Sequence, residues 1–294
     1  MAGFVRRGHA SRENDDGLVV KLDAHGTELW CTTLGSESAA DRLYGVASHG
    51  AGGAFVTAYS SGLQGGPGAI KAVNAGREDT VVAHLDGDGA VTWSHQFGSS
   101  GEDKGFAVSA APDGDVFIGG RAGAAVVEAS TFGGYDGWVV KFDARGEQVW
   151  LNHTGTDQND QVSGLITTAA GVAATGFTHG ALATPWARES DLFVTSVADD
   201  GRAEWTTQVG SASDDQGAAI AVDTGGQLLV VGHTSGRLGS GPVPGGVDVF
   251  GLTLGSSGTL LEVQQLGSVQ RDGADDYAEA NPFIAGAGQP GFRE

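Results

Sequence analysis

An all-β propeller built from four-stranded blades is expected from three features of the chain. The segment Asp136–Trp150 (DGWVVKFDARGEQVW) recurs at Asp16–Trp30, Asp79–Trp93, Asp191–Trp205 and Asp248–Glu262. The leading Asp residues stand 63, 57, 55 and 57 residues apart, a period that belongs to repeat architectures. Each copy is followed by two further short apolar runs bounded by glycine-rich turns. Alternation of period two dominates throughout, and regular glycine blocks the 3.6-residue pattern of helices. A lone four-stranded sheet cannot bury both faces, whereas sheets stacked around an axis can.

Taken in order, residues 1–14 form a loop or a partial strand, because Ala2-Gly3-Phe4 matches Thr175-Gly176-Phe177 at the end of a later strand. The propeller is expected over 15–288, with 289–294 as a tail. Leu18–Leu22 is rich in β-branched and apolar residues and reads as a strand. Asp23-Ala24-His25-Gly26 is its turn: Asp bonds the backbone two residues on and Gly supplies the positive φ. Glu28–Leu34 returns. A glycine, Gly35, and an acidic loop lead to the strands Leu43–Ser48 and Ala54–Ser60. The same order recurs in each unit, with Gly98, Gly155, Gly210 and Gly267 five residues after the Trp position.

Small residues mark the innermost strand, where an axis would be crowded: Val46-Ala47-Ser48, Ala107-Val108-Ser109 and Ile220-Ala221-Val222. With strands lettered A to D outwards, the chain runs C–D, then four complete A–B–C–D units, then a final A–B in residues 276–288. A ring of five blades closes if that last A–B joins the first C–D, which also removes exposed sheet edges. The alternative is a fragment of a larger ring, for example one of seven blades. Trp30, Trp93, Trp150 and Trp205 are expected to seal the gaps between blades.

The repeat, written DGWVVKFDARGEQVWLNHTGTDQNDQVSG with GVAATGFT behind it, resembles the SBBP family of β-propeller repeats. In that family an Asp-led strand, an Asp-x-x-Gly turn and a Trp precede a glycine, an acidic loop and a further strand. The resemblance covers roughly residues 15–288. It implies a propeller, commonly in a secreted or cell-surface protein of bacteria or archaea, and it implies no catalytic residue. The chain departs from it at Ala198 and Gly255, in place of the turn Asp, and at Glu262, in place of Trp.

Charge narrows the partners. Lys+Arg number 16 against 36 Asp+Glu, a net charge of −20, which repels nucleic acid and anionic lipid. Cys31 is the lone cysteine, so no internal disulfide and no multi-cysteine metal motif can form. The N-terminal MAGFVRRGHASREND lacks the apolar core of a signal peptide, and no apolar run reaches the length of a membrane span. The expected setting is secreted or cell-surface by resemblance alone, without an export signal in the sequence.

Strand direction places two acidic rings on one face, together with the variable loops 61–78, 121–134, 178–190 and 234–247. One ring is Asp41, Asp103, Asp160, Asp215 and Asp272; the other is Asp16, Asp79, Asp136, Asp191 and Asp248. Carboxylates in tight loops fix turns by accepting backbone N–H bonds. The alternative occupant is Ca²⁺, held by clustered carboxylate and carbonyl oxygens, with the first ring as its ligands. No G-x-S-x-G, H-E-x-x-H or phosphate-loop motif is present, and the eight histidines occupy different repeat positions. The functional expectation is therefore a non-enzymatic scaffold that binds a protein or glycan through the loop face. The alternatives are a glycan hydrolase or lyase using carboxylates of that face, or a structural fragment without a ligand. Trp138, Trp186 and Arg188 are the residues that break the repeat most visibly.

Overall fold

A computed structural model describes residues 2–6, 15–35, 40–50, 52–62, 69–71, 74–124, 133–184, 189–239 and 246–267. They form five successive antiparallel sheets. The first holds β1 (Ala2–Arg6), β2 (Asp15–Leu22) and β3 (Glu28–Leu34). The second runs β4 (Asp41–His49), β5 (Gly53–Ser60), β7 (Asp79–Leu85) and β8 (Val91–Phe97), and a short β6 (Ala69–Lys71) adds in parallel beyond β8. The third is β9 (Lys104–Ala110), β10 (Val116–Ala122), β11 (Asp136–Phe142) and β12 (Gln148–Thr154). The fourth is β13 (Asp160–Thr168), β14 (Gly171–Thr178), β15 (Asp191–Ala198) and β16 (Ala203–Val209). The fifth is β17 (Asp215–Val222), β18 (Leu228–Thr234), β19 (Asp248–Leu254) and β20 (Leu260–Leu266). Four complete A–B–C–D units thus stand where the repeat puts them, and β6 is an addition that the sequence did not announce.

The strands β4, β9, β13 and β17 touch one another in series, which makes them the inner strands, as their small residues require. The first sheet corrects one expectation: a C-terminal A–B pair is expected to fill its inner half, but β1 occupies the B place. Ala2 pairs with Val19 as Thr175 pairs with Val194, so Ala2-Gly3-Phe4 sits in the strand that its likeness to Thr175-Gly176-Phe177 indicates. The proposed A–B pair at 276–288 lies outside the described residues.

Burial shows how the sheets hold together. Every residue of β5, β11 and β15 is buried, so these strands are covered on both faces. Clusters such as Phe55, Val82, Trp93, Phe97, Trp138 and Phe142 fill the space between consecutive sheets. Each fully buried large apolar side chain contributes about 1.5–3 kcal/mol. Trp138, which stands out in the sequence, is such a core residue and is wholly buried. Trp186 and Arg188 lie outside the described residues. Among the described residues one face of the fifth sheet is half exposed: Leu229 and Val249 are 49% and 57% exposed.

A candidate binding face around the inner strands

The repeated hairpin supplies the frame. Gly26, Gly89, Gly146, Gly201 and Gly258 all have φ between 81° and 87°, which favours glycine. Asp23, Asp86 and Asp143 each accept backbone N–H bonds through Oδ1 from the residues two and four positions on. Where Ala198 replaces this Asp, Asp200 accepts from Arg202 N instead. The turn glycine has a second duty. Trp30 lies against Gly89, Trp150 against Gly201 and Trp205 against Gly258, each in the following sheet. The indole N–H groups of Trp30 and Trp150 donate to Gly87 O at 2.9 Å and Asp199 O at 2.8 Å. The Trp positions therefore seal successive sheets. Lys141 rivets the same side, with Nζ 2.9 Å from Asp115 and 2.6 Å from Asp199.

The two acidic rings are buried inside the opposite, loop-bearing side. Asp16, Asp79, Asp136, Asp191 and Asp248 open the C strands, and Asp41, Asp103, Asp160 and Asp215 open or immediately precede the A strands. Asp272 lies outside the described residues. Asp103 accepts from Ser99 N at 2.6 Å and Gly123 N at 3.2 Å; Asp160 accepts from Thr156 N at 2.6 Å. Asp215 likewise accepts from Ser211 N and the Thr234 hydroxyl. Burial raises the carboxyl of Asp103 to about 6, and the nearby charge of Asp79 pushes the same way. Burial also raises Asp79, Asp160 and Asp215. Each of Asp79, Asp103, Asp160 and Asp215 turns at least one carboxylate oxygen to a backbone N–H, the geometry of turn fixation. Oδ1 of Asp79 is buried without a hydrogen-bond partner among the described residues. Among the described residues no three His, Cys, Asp or Glu side chains gather to hold a metal ion.

One partner of the leading Asp was missed at the sequence level. Gln96, Gln208 and Gln265 each stand three residues after the Trp position. Their Nε2 atoms reach Asp79, Asp191 and Asp248 at 3.5, 2.9 and 2.8 Å, and also bond the carbonyls of Gly62, Gly180 and Gly236. They tie the variable loops to the frame. In the third unit His153 takes this position, and burial keeps its imidazole below the ordinary range.

The inner strands carry the feature that differs between units. Each has a β-bulge at one equivalent place, where Tyr44, Phe106, Ser163 and Ala218 are the extra residues. A bulge redirects a side chain away from strict alternation. All four line a cavity of about 170 Å³ bounded by the inner strands. The glycines opposite the bulge, Gly120, Gly176 and Gly232, face the carbonyls of Lys104, Gln161 and Gln216 too closely for any side chain.

Around the cavity's loop side the units diverge. The position after the ring Asp is Arg42, Lys104, Gln161 and Gln216; the B-strand residue paired with it is Tyr59, Arg121, Phe177 and His233. Units two and three therefore bring aromatic rings and cations together, whereas units four and five present smaller or neutral groups. Tyr44 packs on Tyr59 and Phe106 with centroids 5.6 and 5.2 Å apart. Lys104 lies 4.9 Å from the Tyr59 ring centre, and Arg121 lies 4.4 Å from that of Tyr135 and 5.7 Å from that of Phe106.

The successive four-stranded antiparallel sheets and their repeated motif are consistent with the blades of a β-propeller repeat protein. The family model SBBP, "Beta-propeller repeat", matches residues 204–239, which run from β16 through β18 into the following loop. The regulatory protein FlaEY of Caulobacter vibrioides is 27% identical over 179 residues, covering 55% of this chain and 19% of that protein. This chain therefore matches about a fifth of that relative's length. A crystal structure of a protein of unknown function from Bacteroides caccae aligns with TM-score 0.48 and 12% identity, over 92% of this chain and 74% of the other.

Proposed function

We propose that the chain is a non-enzymatic binding module whose ligand meets the loop-bearing face, around the mouth of the inner cavity. The observation that supports it is the contrast between a constant frame and a variable lining. The Asp, Gly and Trp positions recur from unit to unit. The bulge position and its flanks change from Tyr44, Arg42 and Tyr59 to Ala218, Gln216 and His233. A rigid scaffold with variable residues at one end is where recognition usually resides. Its acidic surface, with a net charge of −20, disfavours nucleic acid. A protein or glycan ligand and a secreted or cell-surface setting complete the proposal.

The same reading includes closure into five blades. Because β1 already holds the B place of the first sheet, such closure needs one further inner strand there rather than an A–B pair. Among the described residues that inner place has no strand and one face of the fifth sheet is half exposed, which supports it. The presence of β1 in the B place also fits a fragment of a larger ring.

The test is retention of the chain on arrayed glycans and peptides, with and without EDTA. Tyr44→Ala with Phe106→Ala is expected to abolish retention. Arg145→Ala, in an exposed turn on the far face, should leave it intact. Turnover of a retained glycan would replace binding by catalysis, and loss of retention with EDTA would restore calcium to the site.

A further inference from the structure

We propose that Arg121, flanked by Lys104 and Gln161, forms a site for the oxyanion end group of a ligand at the loop-side mouth of the inner cavity. This deepens the binding reading above and rests on it.

The argument starts from charge pairing. The chain has 36 acidic side chains for 16 basic ones, so a cation finds a carboxylate easily. Arg42 pairs with Asp15 at 2.9 Å, Lys104 with Glu78 at 2.7 Å, and Lys141 with two aspartates. Among the described residues Arg121 has no such partner. Its one hydrogen bond there goes from Nη1 to the neutral Gln161 Oε1 at 3.1 Å, and its Nε is buried without an acceptor. A buried donor left unmade costs about 1–3 kcal/mol. The register also sets Arg121 directly across from Lys104, and like charges in that position repel. Glu78 offsets Lys104, so the uncompensated charge belongs to Arg121.

The guanidinium is nevertheless held in place. The rings of Tyr135 and Phe106 support it, and Gln161 fixes one edge. A planar fork anchored in this way, with its Nε donor unused, matches the two oxygens of a carboxylate, sulfate or phosphate. Phe106 connects this group to the cavity, since it contacts Arg121 and lines the cavity wall. At about 170 Å³ the cavity is smaller than the roughly 300–1,000 Å³ that encloses a drug-sized ligand. It suits a terminal group rather than a whole molecule.

Titration of the full chain by calorimetry or ligand-observed NMR decides the matter. The probes are glucuronate, glucose, inorganic phosphate and inorganic sulfate. Glucuronate or one of the inorganic anions should bind, with at least tenfold loss in Arg121→Gln and an intermediate loss in Arg121→Lys, which keeps charge but not the fork. Glucose should not compete. Binding of glucuronate alone assigns a carboxylate source; binding of phosphate or sulfate alone assigns a phosphorylated or sulfated one. If Arg121→Gln fails to fold, Gln161→Ala supplies the second variant, with a severalfold loss expected. No anion binding by the wild type, or binding that both variants retain, overturns the site. Undiminished retention of an anionic arrayed ligand by Arg121→Gln would overturn the oxyanion site and leave the binding face standing. No retention of any arrayed ligand by the wild type would remove the broader reading itself.

Discussion

Gly98 rests against the carboxylate of Asp79, with no room for a side chain between them: a Cβ on Gly98 would collide with Oδ1 and Cγ of Asp79 and approach Oδ2 of Asp103. The same fit joins Gly35 to Asp16, Gly155 to Asp136, Gly210 to Asp191 and Gly267 to Asp248. This contact is why a glycine follows the Trp position by five residues in every unit.

Gly98→Ala should therefore destabilise the protein by about 1–3 kcal/mol, the usual cost of overpacking a tight site. Gly251→Ala is the control, because a Cβ there meets nothing within 4 Å. Equal midpoints for the two variants in urea would show that the Asp–Gly contact is not a constraint.

Trp150→Ala removes an indole seated on the next sheet's Gly201 and its bond to Asp199 O. A loss of about 2–3 kcal/mol is expected for this half-buried ring. Trp150→Phe should cost about 1 kcal/mol, mainly the hydrogen bond. If Phe costs as much as Ala, the indole N–H rather than the packing dominates the seal.

Asp103 gives a pH signature. Its carboxyl sits at about 6 in the folded protein against 3.8 ordinarily, so the native state holds a proton that the unfolded chain releases between these values. Stability from this group is fullest below about pH 4 and is lost as pH rises through 6. Asp103→Asn removes that linkage and turns an amide N–H₂ toward backbone donors, costing about 1–3 kcal/mol. The difference in Tm between wild type and variant should widen on going from pH 7.5 to 5. The partly buried histidines His84, His153 and His233, held low by desolvation, shift stability in the opposite sense but are common to both proteins. A difference in Tm that narrows toward pH 5 would contradict the assignment.

Leu229→Asp and Val249→Asp report on closure. Both side chains are about half exposed on one face of the fifth sheet among the described residues, and Leu229 also lines the inner cavity, so Val249 is the cleaner probe. If the ring closes over this face, each change should cost at least about 2 kcal/mol, as burial of an unpaired polar group does. Changes within about 0.5 kcal/mol, typical of a solvated surface, would mean that the face stays open.

The frame could be read before any coordinates were available. The strand–turn–strand hairpin, the Asp-led C strand, the Trp seal and the small inner strand all recur with fixed spacing, and local backbone chemistry writes them into every unit. The aspartate rings were legible as positions and as acceptors of backbone N–H bonds, though their near-complete burial was not. Gln96, Gln208 and Gln265 were present as a third constant position and were overlooked, because a polar residue on an outer strand looks like a solvated one. Trp138 looked exceptional in the sequence and proved to be ordinary core.

The amino-acid order alone established an all-β repeat of four-stranded units, because side chains within one hairpin are neighbours in sequence and their spacing survives as a period. Tertiary structure decided which residues face the inner cavity. That depends on a one-residue bulge in each inner strand, which redirects Tyr44, Phe106, Ser163 and Ala218 out of alternation. It depends equally on contacts such as Arg121 to Gln161, made across 40 residues and two sheets. A period records what repeats, and the candidate site is built from what does not.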